Sequence, residues 1–214
     1  KVNIMANRNQ GGFGLRPVMT LGNTPATSGQ SKYAIENGAA FNIYNGEPVI
    51  LDRTVAAAAG GYLTNGCASA GTAFLGVFNG CFYNALTTAK PTWSNAYLNA
   101  TGVVAGEIVT AFVNDNPFQE YEIALTAATA AAPITEDTIQ NQFGGIADTT
   151  ASATSTAGKS SVTLAAPTAS GAGAHGWMAL RRAEDPDNSD FTAAYASIIV
   201  VQNLKYSQTV AGTA

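Results

Sequence analysis

Apolar side chains in this chain come in short runs separated by glycine, asparagine and proline. The densest run is Phe74-Leu75-Gly76-Val77-Phe78-Asn79-Gly80-Cys81-Phe82-Tyr83, rich in aromatic and β-branched residues and without a helix start signal. That pattern predicts a strand buried on at least one face. Two glycines four residues apart inside it mark a bulge, a bend or the close approach of another backbone, and suggest a strand curving around a small barrel. Upstream, strands are predicted at 33–36, 40–44 and 48–52. Alternation around Asn45-Gly46-Glu47 predicts a hairpin between the last two, since a type I′ turn needs positive φ at both central residues. The Ala56–Gly61 stretch reads as a loop or short strand because of its paired glycines.

Downstream, Pro91-Thr92-Trp93 reads as a short strand and 107–113 as a clear one. Asn114-Asp115-Asn116-Pro117 then turns the chain, and 118–125 returns with strict alternation. Glu120 and Glu122 share one face and Tyr121, Ile123 and Leu125 the other, which predicts a half-solvated antiparallel hairpin. One short helix is expected over 135–144, where a capping threonine, early acids and a closing glycine coincide. The Thr149–Thr156 stretch reads as a surface loop. Late in the chain come 177–181, an acidic turn at 184–188, and the β-branched run 197–204, expected as a central strand pairing near the opening segment. About ten short strands and at most one short helix predict an all-β fold, a small β-barrel or β-sandwich.

This predicts an extended N-terminal arm over 1–30 and a single domain over 31–214, with a long Ala/Thr/Ser-rich loop near 145–160. Within the arm, Phe13-Gly14-Leu15-Arg16-Pro17-Val18 alternates small and large residues up to a proline, and the residue before proline is held extended. Two readings stand side by side. The segment reaches a neighbour, or it lies along its own domain with Phe13 and Leu15 filling core pockets.

Composition narrows the function. The chain has 214 residues, enough to bury one full core. Only 11% of them are charged, about half the usual share, which suits a protein that lives against other protein. A net charge of −4 with no basic run argues against nucleic acid. No run approaches the length of a membrane helix, no secretory signal is visible at the start, and a soluble protein is expected. Cys67 and Cys81, the two cysteines, lack nearby histidines and read as reduced structural thiols rather than a disulfide or a zinc site.

Candidate chemistry falls away on inspection. Ala153–Ser160 matches a relaxed phosphate loop, yet polar residues lead in and a proline-ended strand leads out, where a buried strand and a helix are required. His175, the single histidine, sits in a glycine-rich stretch with no nucleophile elbow in the chain. Asp185, Asp187 and Asp190 lack the glycine and distal glutamate of a calcium loop. Nothing marks the Glu120/Glu122 face as a glycosidase cleft. The residues thus argue for no catalytic site, no metal and no cofactor.

Several segments in order resemble tailed-bacteriophage head decoration (capsid cement) proteins. They are Phe13-Gly14-Leu15-Arg16-Pro17-Val18, Tyr44-Asn45-Gly46-Glu47-Pro48-Val49, Leu75-Gly76-Val77-Phe78-Asn79-Gly80-Cys81 and Asn114-Asp115-Asn116-Pro117, followed by Ser155-Thr156-Ala157-Gly158-Lys159-Ser160 and Arg181-Arg182-Ala183-Glu184-Asp185-Pro186-Asp187-Asn188. In the last of these, two residues interrupt the family's turn. The resemblance implies a structural virion protein on the outer surface of the icosahedral head, assembled in the host cytoplasm, that bridges major capsid protein subunits and self-associates as a trimer or dimer. It implies no enzyme activity, no cofactor and no contact with nucleic acid or membrane. Under it, Phe13, Leu15, Arg16 and Val18 are the expected contact residues for capsid or a neighbouring copy, with Arg16 as polar anchor. The alternative from another class is a carbohydrate-binding or host-attachment module in which Trp93, Tyr97, Trp177 and Tyr206 stack on sugar rings, although aromatics in a barrel usually serve the core. A third reading, a secreted structural domain, requires the cysteines to be bridged.

Overall fold

The computed structural model describes residues 7, 11–22, 24–25, 29–52, 61–66, 73–99, 102–126, 139, 142–144, 158–165 and 176–203. Among them are fourteen strands: β1 (Arg16–Thr20), β2 (Thr24–Pro25), β3 (Ser31–Ile35), β4 (Ile43–Tyr44), β5 (Pro48–Asp52), β6 (Tyr62–Asn65), β7 (Gly76–Asn84), β8 (Pro91–Ser94), β9 (Ala96–Tyr97), β10 (Val109–Asn114), β11 (Gln119–Ala124), β12 (Gln142–Gly144), β13 (Trp177–Arg182) and β14 (Ser197–Gln202). A 3-10 turn at Pro186–Asn188 is capped by Asp185. The fold is all-β.

Sheet A runs β12-β13-β14-β11-β1-β2 and sheet B runs β3-β10-β7-β5-β6, with β8 also paired to β7. A two-stranded ribbon, β4-β9, stands apart. All ladder pairs are antiparallel. Sheet B curls until its edge strands β3 and β6 come close, but they do not pair. The barrel alternative therefore gives way to open, packed sheets.

Two cores result. Inside the curl of sheet B, Phe78, Cys81, Val109, Ala111 and Val113 meet Ile43 and Tyr97 of the ribbon. Between the sheets, Tyr121, Ile123, Trp177, Ile198 and Val200 of sheet A meet Val77 and Phe74. Strand β7 supplies both, because alternation sends Val77 one way and Phe78 the other. Its two glycines answer to two different needs. A Cβ on Gly76 would sit 2.3 Å from the Asn114 carbonyl oxygen, so the neighbouring backbone demands glycine there. Gly80 has φ +144° and follows the register shift of a β-bulge at Asn79. Cys81, free and buried, donates weakly to the Ala96 carbonyl at 3.7 Å, and burial pushes its thiol up to about 12. Cys67 lies outside the described residues.

Both predicted hairpins are corners instead. β4 pairs with β9, and β5 with β6 and β7, so Tyr44–Glu47 carries the chain between sheets. The turn closes by Glu47 N donating to Tyr44 O at 3.0 Å, with positive φ at Gly46 and not at Asn45, which is type II rather than I′ geometry. Asn45 is held elsewhere: its Nδ2 donates to Asn79 O and Oδ1 at 2.8 and 2.9 Å. The Asn114–Pro117 turn likewise passes the chain from β10 in sheet B to β11 in sheet A.

The strand at 118–125 keeps its predicted alternation, but its glutamate face is not half-solvated: Glu120 is 2% exposed because Arg181 pairs with it. Where a helix is expected over 135–144, Ile139 is helical and buried, but Gln142–Gly144 form an edge strand on β13. The run 197–204 appears as β14, buried at every position and central between β13 and β11, one strand away from β1. Residues 145–157 of the expected loop lie outside the described residues.

Candidate functional site

The sequence-predicted contact residues part company in the structure. Leu15 is 2% exposed and belongs to the core between the sheets. Its amide donates to Gly46 O at 2.9 Å. Arg16 opens β1 and is exposed, with its guanidinium 3.9 Å above the half-buried Phe13 ring. Such stacking orders a long cation at the surface. Val18 is 39% exposed, at a bulge between Pro17 and Met19. Phe13, Arg16 and Val18 thus stay available to a partner, while Leu15 anchors the segment.

Five of the six sequence segments that carry the family resemblance converge beside Leu15. Gly14 N donates to Val162 O at 3.2 Å, Gly46 N to Phe78 O at 2.8 Å, and Ser160 N to Asn45 O at 2.8 Å. Tyr121 OH donates to Asn114 O at 3.1 Å. Leu15, Asn45, Gly46, Phe78, Asn114 and Tyr121 are among the residues that line a cavity of about 80 Å³ here, room for a water or two. The buried Asn114 Oδ1 on its wall has no protein partner. This is a junction held by backbone hydrogen bonds. The phosphate-loop lookalike belongs to it: Lys159 forms a parallel bridge with Asn45, and the Ser160 amide is already donated.

Other candidates disperse. Asp185 caps the 3-10 turn, and Asp190 accepts from Thr192 Oγ1 at 2.5 Å and Thr192 N at 2.9 Å, two bonds that lower the Asp190 carboxyl, the side-chain one most. Among the described residues no group of three or more His, Cys, Asp or Glu is placed to hold a metal ion. His175 and Tyr206 lie outside the described residues. Tyr97 and Trp177 are core side chains, 1% and 0% exposed. Of the four aromatics considered for sugar stacking, only Trp93 is known to face solvent.

Trp93 stands at the centre of an aromatic patch that the sequence reading did not assemble. It lies opposite Phe82 across β7 and β8, and its ring centroid is 5.2 Å from that of Phe112 on β10. Lys32 on β3, opposite Phe112, lies 5.9 Å from the same ring. Trp93 and Phe82 are 47% and 42% exposed. Gly80 makes the arrangement possible, since a Cβ there would sit 2.5 Å from the indole. Nε1 donates to Asn95 Oδ1 at 3.2 Å, which fixes the ring's orientation. By alternation these residues share the face of sheet B that carries Val77. Sheet A covers the Val77 end of that face and leaves the Trp93 end open. The available signal was an aromatic at the off-core position of a strand: Phe112 between Ala111 and Val113.

No protein-family model, no curated protein and no solved structure matches this chain.

Proposed function

We propose that this chain is a structural protein of a phage head, binding the outside of the icosahedral shell as a homo-oligomer and bridging major capsid protein subunits. The observation that carries the proposal is the open aromatic patch of Trp93, Phe82 and Phe112. Contiguous exposed aromatics held in fixed orientation are the composition of an interface centre, not of a free surface. The low charge of the chain, the ordered resemblance of its segments and the exposed Phe13–Arg16 stack support the same reading. A shell protein of this kind acts by mass action on the assembled lattice, and many weak sites add avidity. The test is stoichiometry and occupancy on purified heads. Wild-type protein binds at about hundreds of copies per particle. Trp93→Ala lowers occupancy at least about tenfold, as loss of a central Trp does, and deletion of residues 1–16 lowers it further. Unchanged occupancy in both variants overturns the proposal.

A carbohydrate-binding module is the second reading, and one observation favours it. The indole of Trp93 is pinned by Gly80 and Asn95 as a ready stacking platform. Glycan binding that is lost in Trp93→Ala, in a protein that leaves heads undecorated, selects this reading.

A further inference from the structure

The outer face of sheet A carries a groove of about 360 Å³, lined by Val18, Met19, Ile199, Glu122, Arg181 and Glu184 among others. Two bulges shape it. In β13, Ala179 points into the core, and unbroken alternation would send Arg181 there as well. The register shift between them turns Arg181 outward, opposite Ile199. In β1, the shift between Pro17 and Met19 sets Met19 opposite Glu120 and leaves Val18 exposed on the rim. Re-aiming side chains is what bulges at sheet edges and functional sites do.

The charges around the groove are unevenly committed. Arg181 holds Glu120 and touches the Met19 sulfur at 3.5 Å. Arg182 lies 4.2 Å from the Phe191 ring centroid, and Asp185 caps the 3-10 turn. Arg16 stands directly across from Glu122, yet its guanidinium is stacked on Phe13. Glu122 Oε1 is left buried without a hydrogen-bond partner, with Arg16 across one ladder and Ile199 across the other. A buried carboxylate oxygen with no donor is costly. Set in one groove with Val18, Met19 and Ile199, it complements a side chain with a long aliphatic stem and a cationic head.

We infer that this groove binds a lysine or arginine side chain presented by another polypeptide, its stem along Val18, Met19 and Ile199 and its cation on Glu122. The inference goes beyond the head-binding proposal and does not depend on it. The test titrates the full chain with N-acetyl-lysine amide and with its uncharged counterpart, N-acetyl-norleucine amide, following the methyl resonances of Val18, Met19 and Ile199. The lysine probe shifts them with a Kd of about 1 mM, at least about tenfold more tightly than the norleucine probe, as a charge-assisted contact requires. Glu122→Gln abolishes the difference between the two. Equal binding of both probes, absence of shifts, or a difference that survives Glu122→Gln overturns the inference. Should Glu122→Gln fail to fold, the two probes on the wild-type chain decide alone.

Discussion

The two surface regions, the aromatic patch on sheet B and the groove on sheet A, use the same device to opposite ends. Each sits at a bulge that breaks strand alternation: at Asn79 in β7 for the patch, and in β1 and β13 for the groove. On sheet A the bulges bring Arg181 and Met19 over the strands, and the outer face closes on itself so far that Glu120 is 2% exposed. On sheet B the bulge leaves a glycine under an indole, and the ring stays 47% exposed. A sheet face largely covered by its own side chains keeps only a narrow, charge-lined groove open, whereas one that displays ordered aromatics offers a broader apolar surface.

The largest effect expected from breaking this contrast is at Gly80. Gly80→Ala imposes a side chain at φ +144° against the Trp93 ring, and costs about 3 kcal/mol in denaturant unfolding. Adding Trp93→Ala recovers the steric part and leaves the backbone part. A Gly80→Ala protein as stable as wild type shows that the indole moves aside freely and is no fixed platform.

Next is Arg181→Met, which strands the buried Glu120 carboxylate. The expected loss is about 2 kcal/mol, less than for a fully enclosed pair because the Arg181 side chain is 41% exposed. The double replacement with Glu120→Met returns to near wild-type stability, since paired removal of a buried ion pair is often neutral. Additive losses in the double variant break the account of how sheet A closes its face. Trp93→Ala alone, on the open patch, changes stability by less than about 1 kcal/mol, and its consequence appears in partner binding. A large loss of stability there makes the ring part of the core after all.

A further effect, confined to high pH, lies beneath the patch. Cys81 on β7 has its thiol raised to about 12 from 9.0 by burial, so the folded state holds the proton more tightly than the unfolded one. The stability this contributes is fully present below about pH 9 and is lost as pH rises toward about 12. Cys81→Ala removes that share, and its unfolding free energy falls less steeply above pH 9 than that of the wild type.

Alternation made much of the fold legible. β7, β10, β11 and β14 lie close to where their apolar spacing puts them, and the split of Glu120 and Glu122 from Tyr121 and Ile123 is as read. Pairing was not legible, because a turn sequence encodes a reversal of direction and not the strand that receives it. Asn45-Gly46 and Asn114–Pro117 both reverse the chain, and both deliver it to a different sheet. The glycines of β7 did signal its bulge, but the bulges of β1 and β13 escaped for a related reason. No residue type announces Val18 or Leu180 as the unpaired position, yet each decides which face its neighbours occupy. Phe82, Trp93 and Phe112 are visible as residues, but they become a patch only once β7, β8 and β10 lie side by side. Leu15 shows the converse: the sequence left open a segment reaching a neighbour or one lying along its own domain, and a hydrogen bond to Gly46 together with the core decides for the second at Leu15.

Because β7 is a shared wall, with Val77 in one core and Phe78 in the other, neither core has a complete boundary without it. Loosening on one side removes packing from the other. The described sheets are thus expected to melt in a single transition rather than as two foldons, with the amides of β7 among the last to exchange with deuterium. Two midpoints in calorimetry, or faster exchange in β7 than in the edge strand β3, break that coupling.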